Sequence, residues 1–137
     1  METFDCMPLA GSITITQRFG ENPVYYQQFG LPGHEGLDLR AMVGDPVYAV
    51  WDGIVVRVGA DMQHPYGNFV TIEHADGYRT TYAHLSRVDA EVSTLVYHGT
   101  VIGAAGNTGN SHGSHLHLTL KRDGEYLDPE PYLPRAK

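Results

Sequence analysis

Cysteine is nearly absent from this 137-residue chain: Cys6 stands alone. An internal disulfide is therefore excluded, and Cys6 has no cysteine partner for a metal site. Positive charge is scarce too. Nine Lys and Arg against sixteen Asp and Glu leave a formal net charge of −7, which argues against a surface built for nucleic acid. No apolar run reaches the roughly 20 residues of a membrane-spanning helix, so no membrane insertion is expected. Met1-Glu2-Thr3-Phe4-Asp5 carries acids where an export signal carries Lys or Arg. A helical period of normal length is missing throughout.

What is present is turn and strand chemistry. Sixteen Gly punctuate many short apolar runs, and Tyr and His are high at nine and eight. The length suits one domain, residues 1–137, with a real core. Strand patterns begin at 13–19. Residues 24–33, aromatic and framed by Pro and Gly, read as an ordered loop. Asp52-Gly53, Asp76-Gly77 and Asp123-Gly124 each lie between apolar runs and read as hairpin turns. Residues 100–106 form a short buried strand. The whole reads as a small all-β domain of antiparallel strands.

The richest stretch is His115-Leu116-His117-Leu118-Thr119-Leu120. Its period of two places both imidazoles on one strand face, about 6.5 Å apart along the backbone. Both can reach one metal-centred site, although two surface histidines on a half-exposed strand have the same pattern. Upstream, His34 and Asp38 frame Glu35-Gly36-Leu37. On a straight strand they would be about 13 Å apart, so Gly36 has to permit a bend, with Leu37 and Leu39 pointing inward. Tyr78, Thr80, Tyr82 and His84 share one face of a strand, which reads as a polar wall open to solvent or to a groove. Two His and one Asp match the three protein ligands of a hydrolytic zinc site, and a neighbouring His can move a proton there.

The ordered set His34-x-x-x-Asp38, Gly44-Asp45-Pro46-Val47, Asp52-Gly53-Ile54-Val55, Tyr66-Gly67-Asn68, Tyr82-Ala83-His84-Leu85-Ser86, Val101-Ile102-Gly103, Gly106-x-Thr108-Gly109 and His115-Leu116-His117 resembles the M23 zinc metallopeptidases. These are the lysostaphin-like or LytM-type peptidoglycan endopeptidases, and the likeness runs from about 16 to 133. The resemblance implies the lysostaphin-type (duplicated hybrid motif) fold. It implies one zinc on His34, Asp38 and His117, flanked by His84 and His115 as catalytic residues. Loops near 20–33, 60–67, 86–98 and 104–114 would wall a narrow groove. Tyr25 and Tyr26, and more weakly His112, are expected to meet substrate. The other histidines, His64, His74 and His98, are expected to be structural or at the surface.

The chain departs from the family at Ser111-His112-Gly113-Ser114, often Ser-Thr-Gly-Pro, at Thr119, often Glu, at Thr100, often Gln, and at Ser93, often Gly. These bear on loop shape and substrate preference, not on the chemistry. The implied function is cleavage of cross-bridge or stem peptides in peptidoglycan by a monomer working in the cell wall, outside the cytoplasm. The lack of a visible export signal fits a phage-borne lysin or a fragment of a secreted protein. Two other readings stand beside it. One is a catalytically silent wall-binding or regulatory module, which is expected to have lost ligands. The other is a barrel-type phosphocarrier domain using paired histidines, to which Asp38 would add little.

Overall fold

The computed structural model describes residues 3–60, 66–108 and 113–134. It is an all-β, antiparallel domain. The strands are β1 (Ile15–Gln17), β2 (Leu37–Arg40), β3 (Pro46–Tyr48), β4 (Gly53–Ala60), β5 (Asn68–Glu73), β6 (Tyr78–Val88), β7 (Leu95–Val96), β8 (Val101–Ala105), β9 (His115–Arg122) and β10 (Glu125–Leu127). One helical turn, α1 (Pro23–Gln27), lies in the stretch expected to be loop. Its Pro23 at the first turn presets the helical φ. No helix among the described residues is long and apolar enough to cross a membrane.

The strands form one 10-stranded sheet whose main path runs β1-β2-β9-β6-β5-β4-β7. β10 adds to β9, while β3 pairs with β8 and β8 with β6. Two of the three expected hairpins form. Asp76 and Gly77 have φ of 59° and 80°, and Asp123 and Gly124 have 50° and 86°. Positive φ at both central residues belongs to the turn whose twist matches the flanking strands. The third does not form: β3 pairs with β8, and β4 with β5 and β7. Asp52-Gly53 is a corner between strands that part company. Gly53 is required there because an added Cβ would overlap the Glu73 carbonyl oxygen.

Strand alternation divides the sheet. Leu116, Leu118 and Leu120 of β9 and Leu37 and Leu39 of β2 are fully buried, as are Val47, Trp51, Val55, Ile72 and Ile102. The opposite face of β9 carries His115, His117, Thr119 and Lys121, and these line a groove. The polar wall expected on β6 is a correction. Tyr78, Thr80 and Tyr82 point into the core, and there the Tyr82 hydroxyl accepts from the Val50 N–H and from the Thr80 hydroxyl. His84 alone leaves that face. Its φ of +62° puts a left-handed residue in the strand, and its N–H donates to the Tyr66 carbonyl at 2.8 Å. That kink turns the imidazole toward the groove.

Candidate metal centre

Three elements bring the candidate ligands together. β2 pairs antiparallel with β9 so that Asp38 stands opposite His117 and Arg40 opposite His115. β6 borders β9 on the other side, with Ala83 opposite His117 and His84 one residue further along. His34 comes from the loop before β2, clamped by backbone bonds Gly20 N–H to His34 O, 2.8 Å, and His34 N–H to Glu21 O, 2.9 Å. Gly36 is needed between His34 and Asp38, but not for a left-handed bend, since its φ is not positive. The reason is contact: a Cβ there would stand 2.6 Å from the Leu118 carbonyl oxygen and 3.0 Å from the His117 ring.

The side chains converge. His34 Nε2 is 3.3 Å from Asp38 Oδ1, His117 Nδ1 is 2.7 Å from the same oxygen, and the two nitrogens are 3.3 Å apart. All three residues are buried, His34 at 2%, His117 at 4% and Asp38 at 9% exposure. Ligands at about 2.0–2.1 Å around tetrahedral zinc stand about 3.3 Å from one another, so these three atoms nearly trace one face of that tetrahedron. His84 and His115 sit beside it, their rings 4.9 Å apart, with the His84 ring 5.7 Å from that of His117. His115 Nε2 is 3.7 Å from Asp38 Oδ1.

Backbone carbonyls choose the tautomers. His34 Nδ1 lies 3.1 Å from Arg18 O, His84 Nδ1 2.6 Å from Thr108 O and His115 Nδ1 2.7 Å from Gly113 O. A carbonyl only accepts, so each Nδ1 carries a proton, and the tautomer this selects has its bare nitrogen at Nε2. His117 is turned the other way, with Nδ1 toward Asp38 and Nε2 toward Glu35 Oε1 at 2.7 Å. Glu35 is close but poorly directed, so the buried Nε2 has no aligned hydrogen-bond acceptor.

The charges follow from these contacts. Burial works to raise the Asp38 carboxyl, but hydrogen bonds from His117 and His34 and their charge outweigh it and hold the group well below the usual carboxylate range. Burial would lower His117, yet Asp38 and Glu35 push it up to about 9. Burial, then the neighbouring His117, brings His84 down to about 4, so it is neutral at pH 7. Tyr26 is raised to about 12 by burial and then by the Asp38 and Glu35 charges, and its hydroxyl keeps its proton.

All five histidine and aspartate positions singled out in the sequence therefore meet at one place. Tyr25 and Tyr26 line the same groove, Tyr26 with its ring 5.3 Å from that of His34 and its hydroxyl donating to Gln17 Oε1 at 3.3 Å. His112 and His64 lie outside the described residues. His98 is half exposed beside Asp52, and His74 is buried between Asp52 O and Thr80 Oγ1, as structural roles require. Two residues were missed. Glu35 forms a second candidate ligand group with His34 and His117, its donor atoms lying within 4.8 Å of one another. Tyr66 packs its ring 5.4 Å from that of His117. The signals were there: an acid next to a ligand histidine, and the first residue of Tyr66-Gly67-Asn68. The cavity encloses about 1080 Å³, enough for a peptide segment.

Comparison with known proteins gives a consistent result. The pattern of peptidase family M23 matches residues 32–129. The peptidoglycan DD-endopeptidase ShyA of Vibrio cholerae is 36% identical over 118 residues, which is 85% of this chain and 27% of ShyA. A crystal structure of a zinc-containing peptidase from Vibrio cholerae superposes with a TM-score of 0.79 at 34% identity, covering 93% of this chain and 39% of that one. The catalytic domain of lysostaphin from Staphylococcus simulans superposes with a TM-score of 0.76 at 29% identity, covering 88% and 91%. The chain spans about a quarter of the length of the curated relatives it matches.

Proposed function

The chain belongs to peptidase family M23, and from that premise we propose that it is a zinc-dependent endopeptidase hydrolysing peptide bonds in bacterial peptidoglycan. The observation that carries this is the approach of His34 Nε2, Asp38 Oδ1 and His117 Nδ1 to within 3.3 Å of one another on a groove floor. Two imidazole nitrogens and one buried carboxylate oxygen are a donor set that fits zinc. His34, Asp38 and His117 would hold the ion. Bound there, zinc supplies Lewis-acid chemistry and a lowered water pKa.

The chain's own residues do the rest. The peptide lies along the groove with the amide to be cut between His84 and His115. Neutral His84 accepts a proton from water at Nε2, because its Nδ1–H is engaged by the Thr108 carbonyl. His115, whose Nε2 is bare and faces the same space, accepts from the attacking water and orients it, and His84 passes the proton it has taken to the departing amine. The departing amine gains a proton as the new carboxylate forms. The Tyr26 hydroxyl, held protonated, exchanges its 3.3 Å bond to Gln17 Oε1 for one to the charge developing on the carbonyl oxygen.

In this reading residues 1–137 form a single peptidase domain, the protein is a monomer, and it works in the cell wall. The likeness to the peptidoglycan DD-endopeptidase ShyA supports peptidoglycan as substrate, and the likeness to lysostaphin supports a peptidase. The test is metal analysis combined with digestion of defined muropeptides read by mass spectrometry. The expected result is one zinc per chain and cleavage products that disappear with chelator and return with zinc. Intact muropeptides after full zinc loading would overturn the reading.

A further inference from the structure

The cations of this acidic protein gather in one place. Of nine Lys and Arg, four line the groove: Arg40, Arg57, Arg79 and Lys121. Among the described residues, the Asp and Glu that line it are Glu21, Glu35 and Asp38, and the last two face the metal-centre histidines. Beyond that centre the described lining of the groove is therefore positive, while the chain as a whole carries −7.

The strand register places these groups. Arg79 stands opposite Lys121 on the neighbouring strands β6 and β9. Lys121 is four residues past His117 on the same face of β9, about 13 Å along the strand. Arg57 begins a row that crosses the floor through Thr71, Thr81 and Thr119, each opposite the next. The hydroxyls of Thr71 and Thr81 meet at 2.8 Å. Aromatic rings prop two of the cations: Lys121 Nζ lies 4.4 Å from the Tyr126 ring centre, and the Arg57 guanidinium 5.3 Å from that of Phe69. The Arg79 guanidinium is steadied by Glu73 at 2.7 Å. Glu73 offsets part of the Arg79 charge, and the repulsion that remains between Arg79 and Lys121 on adjacent strands favours an anion between them.

We propose that Arg79 and Lys121, with Arg57 at the margin, form a subsite for a free carboxylate on the substrate peptide, three or four residues from the bond that is cut. The groove then takes an anionic peptide and disfavours an uncharged bridge made of glycine. This rests on the peptidase reading above and names the substrate class of that same groove.

The test uses the full zinc-loaded chain and two synthetic peptides with the same scissile bond. One bears free side-chain carboxylates three and four residues away, and the other bears carboxamides there. Both turnover and binding, by fluorescence anisotropy, are measured. The amidated peptide should show kcat/KM and affinity lower by about 10-fold or more, the scale of a charge-assisted hydrogen bond, and chiefly through KM. The double variant Arg79→Gln/Lys121→Gln should lose that preference while keeping its zinc and its Tm. Arg87→Gln, on an arginine outside the groove and paired with Asp89, should retain it. Equal affinity of the wild type for the two peptides, or a preference surviving in the double variant, overturns the subsite. If the peptides bind differently but neither is cut, the subsite stands and the peptidase reading falls.

Discussion

Asp38 and His117 face each other across the antiparallel pair β2 and β9, with His117 Nδ1 2.7 Å from Asp38 Oδ1. The rest of the centre is arranged around that contact. His34 reaches the same oxygen at 3.3 Å and His115 at 3.7 Å. Such a pair is neutralised internally without metal, and zinc would replace the proton between them.

The histidines should separate into two classes. His117→Ala removes a proposed ligand, so zinc content should collapse and activity with it. His84→Ala and His115→Ala leave the three ligands in place. Both should keep zinc near full occupancy while turnover on muropeptides falls about 100-fold or more. Zinc lost from His115→Ala but kept by His117→Ala would mean the roles are reversed.

Glu35 and Asp38 compete for the same histidine from opposite sides. Asp38 meets the nitrogen that also faces His34, whereas Glu35 meets the far one. Glu35→Gln should weaken zinc by no more than about 10–100-fold, the cost of losing an outer carboxylate, and Asp38→Asn by much more. Chelator competition on the two purified variants decides it. Equal losses would make Glu35 a ligand.

The tyrosines should affect substrate and not metal. Tyr26→Phe should lower turnover with zinc content unchanged, because it removes a hydroxyl from beside the His34 ring. Tyr25→Phe should do less, since Tyr25 is 43% exposed. Steady-state rates on a defined muropeptide check this. Unchanged rates in both variants would remove these tyrosines from the mechanism.

Acid should destabilise the fold through His74. Burial is the first cause of its lowered pKa, and the Asp52 contacts only partly offset it. The unfolded chain, with His near 6.5, therefore binds a proton before the folded one does. This contribution is fully present above about pH 6.5 and is lost as pH falls through the folded value. Tm measured from pH 8 to pH 5 should drop less steeply in His74→Gln than in the wild type. Parallel slopes would count against the assignment.

Much of the site was legible because strand periodicity is local. The alternation in His115-Leu116-His117-Leu118-Thr119-Leu120 assigns one face to chemistry and the other to the core, and the buried leucines agree. Asp76-Gly77 and Asp123-Gly124 were equally readable, since their left-handed φ values are a property of the dipeptide. Asp52-Gly53 misled for the same reason: the signal is local, but whether a turn closes a hairpin depends on which strand pairs with which.

The amino-acid sequence alone determined the all-β class, the inward leucines, and a set of His and Asp suited to zinc. Which face His84 joins was not in it. Period two placed that residue with Tyr78, Thr80 and Tyr82, whose face is the core, and only the left-handed kink bonded to Tyr66 swings it to the groove. The same holds for Glu35, which is drawn to His117 although 82 positions separate them in the chain. It also holds for the cations of β4, β6 and β9, scattered in sequence and aligned by register. Local patterns follow from backbone geometry over a few residues, whereas these contacts are fixed by non-local strand pairing.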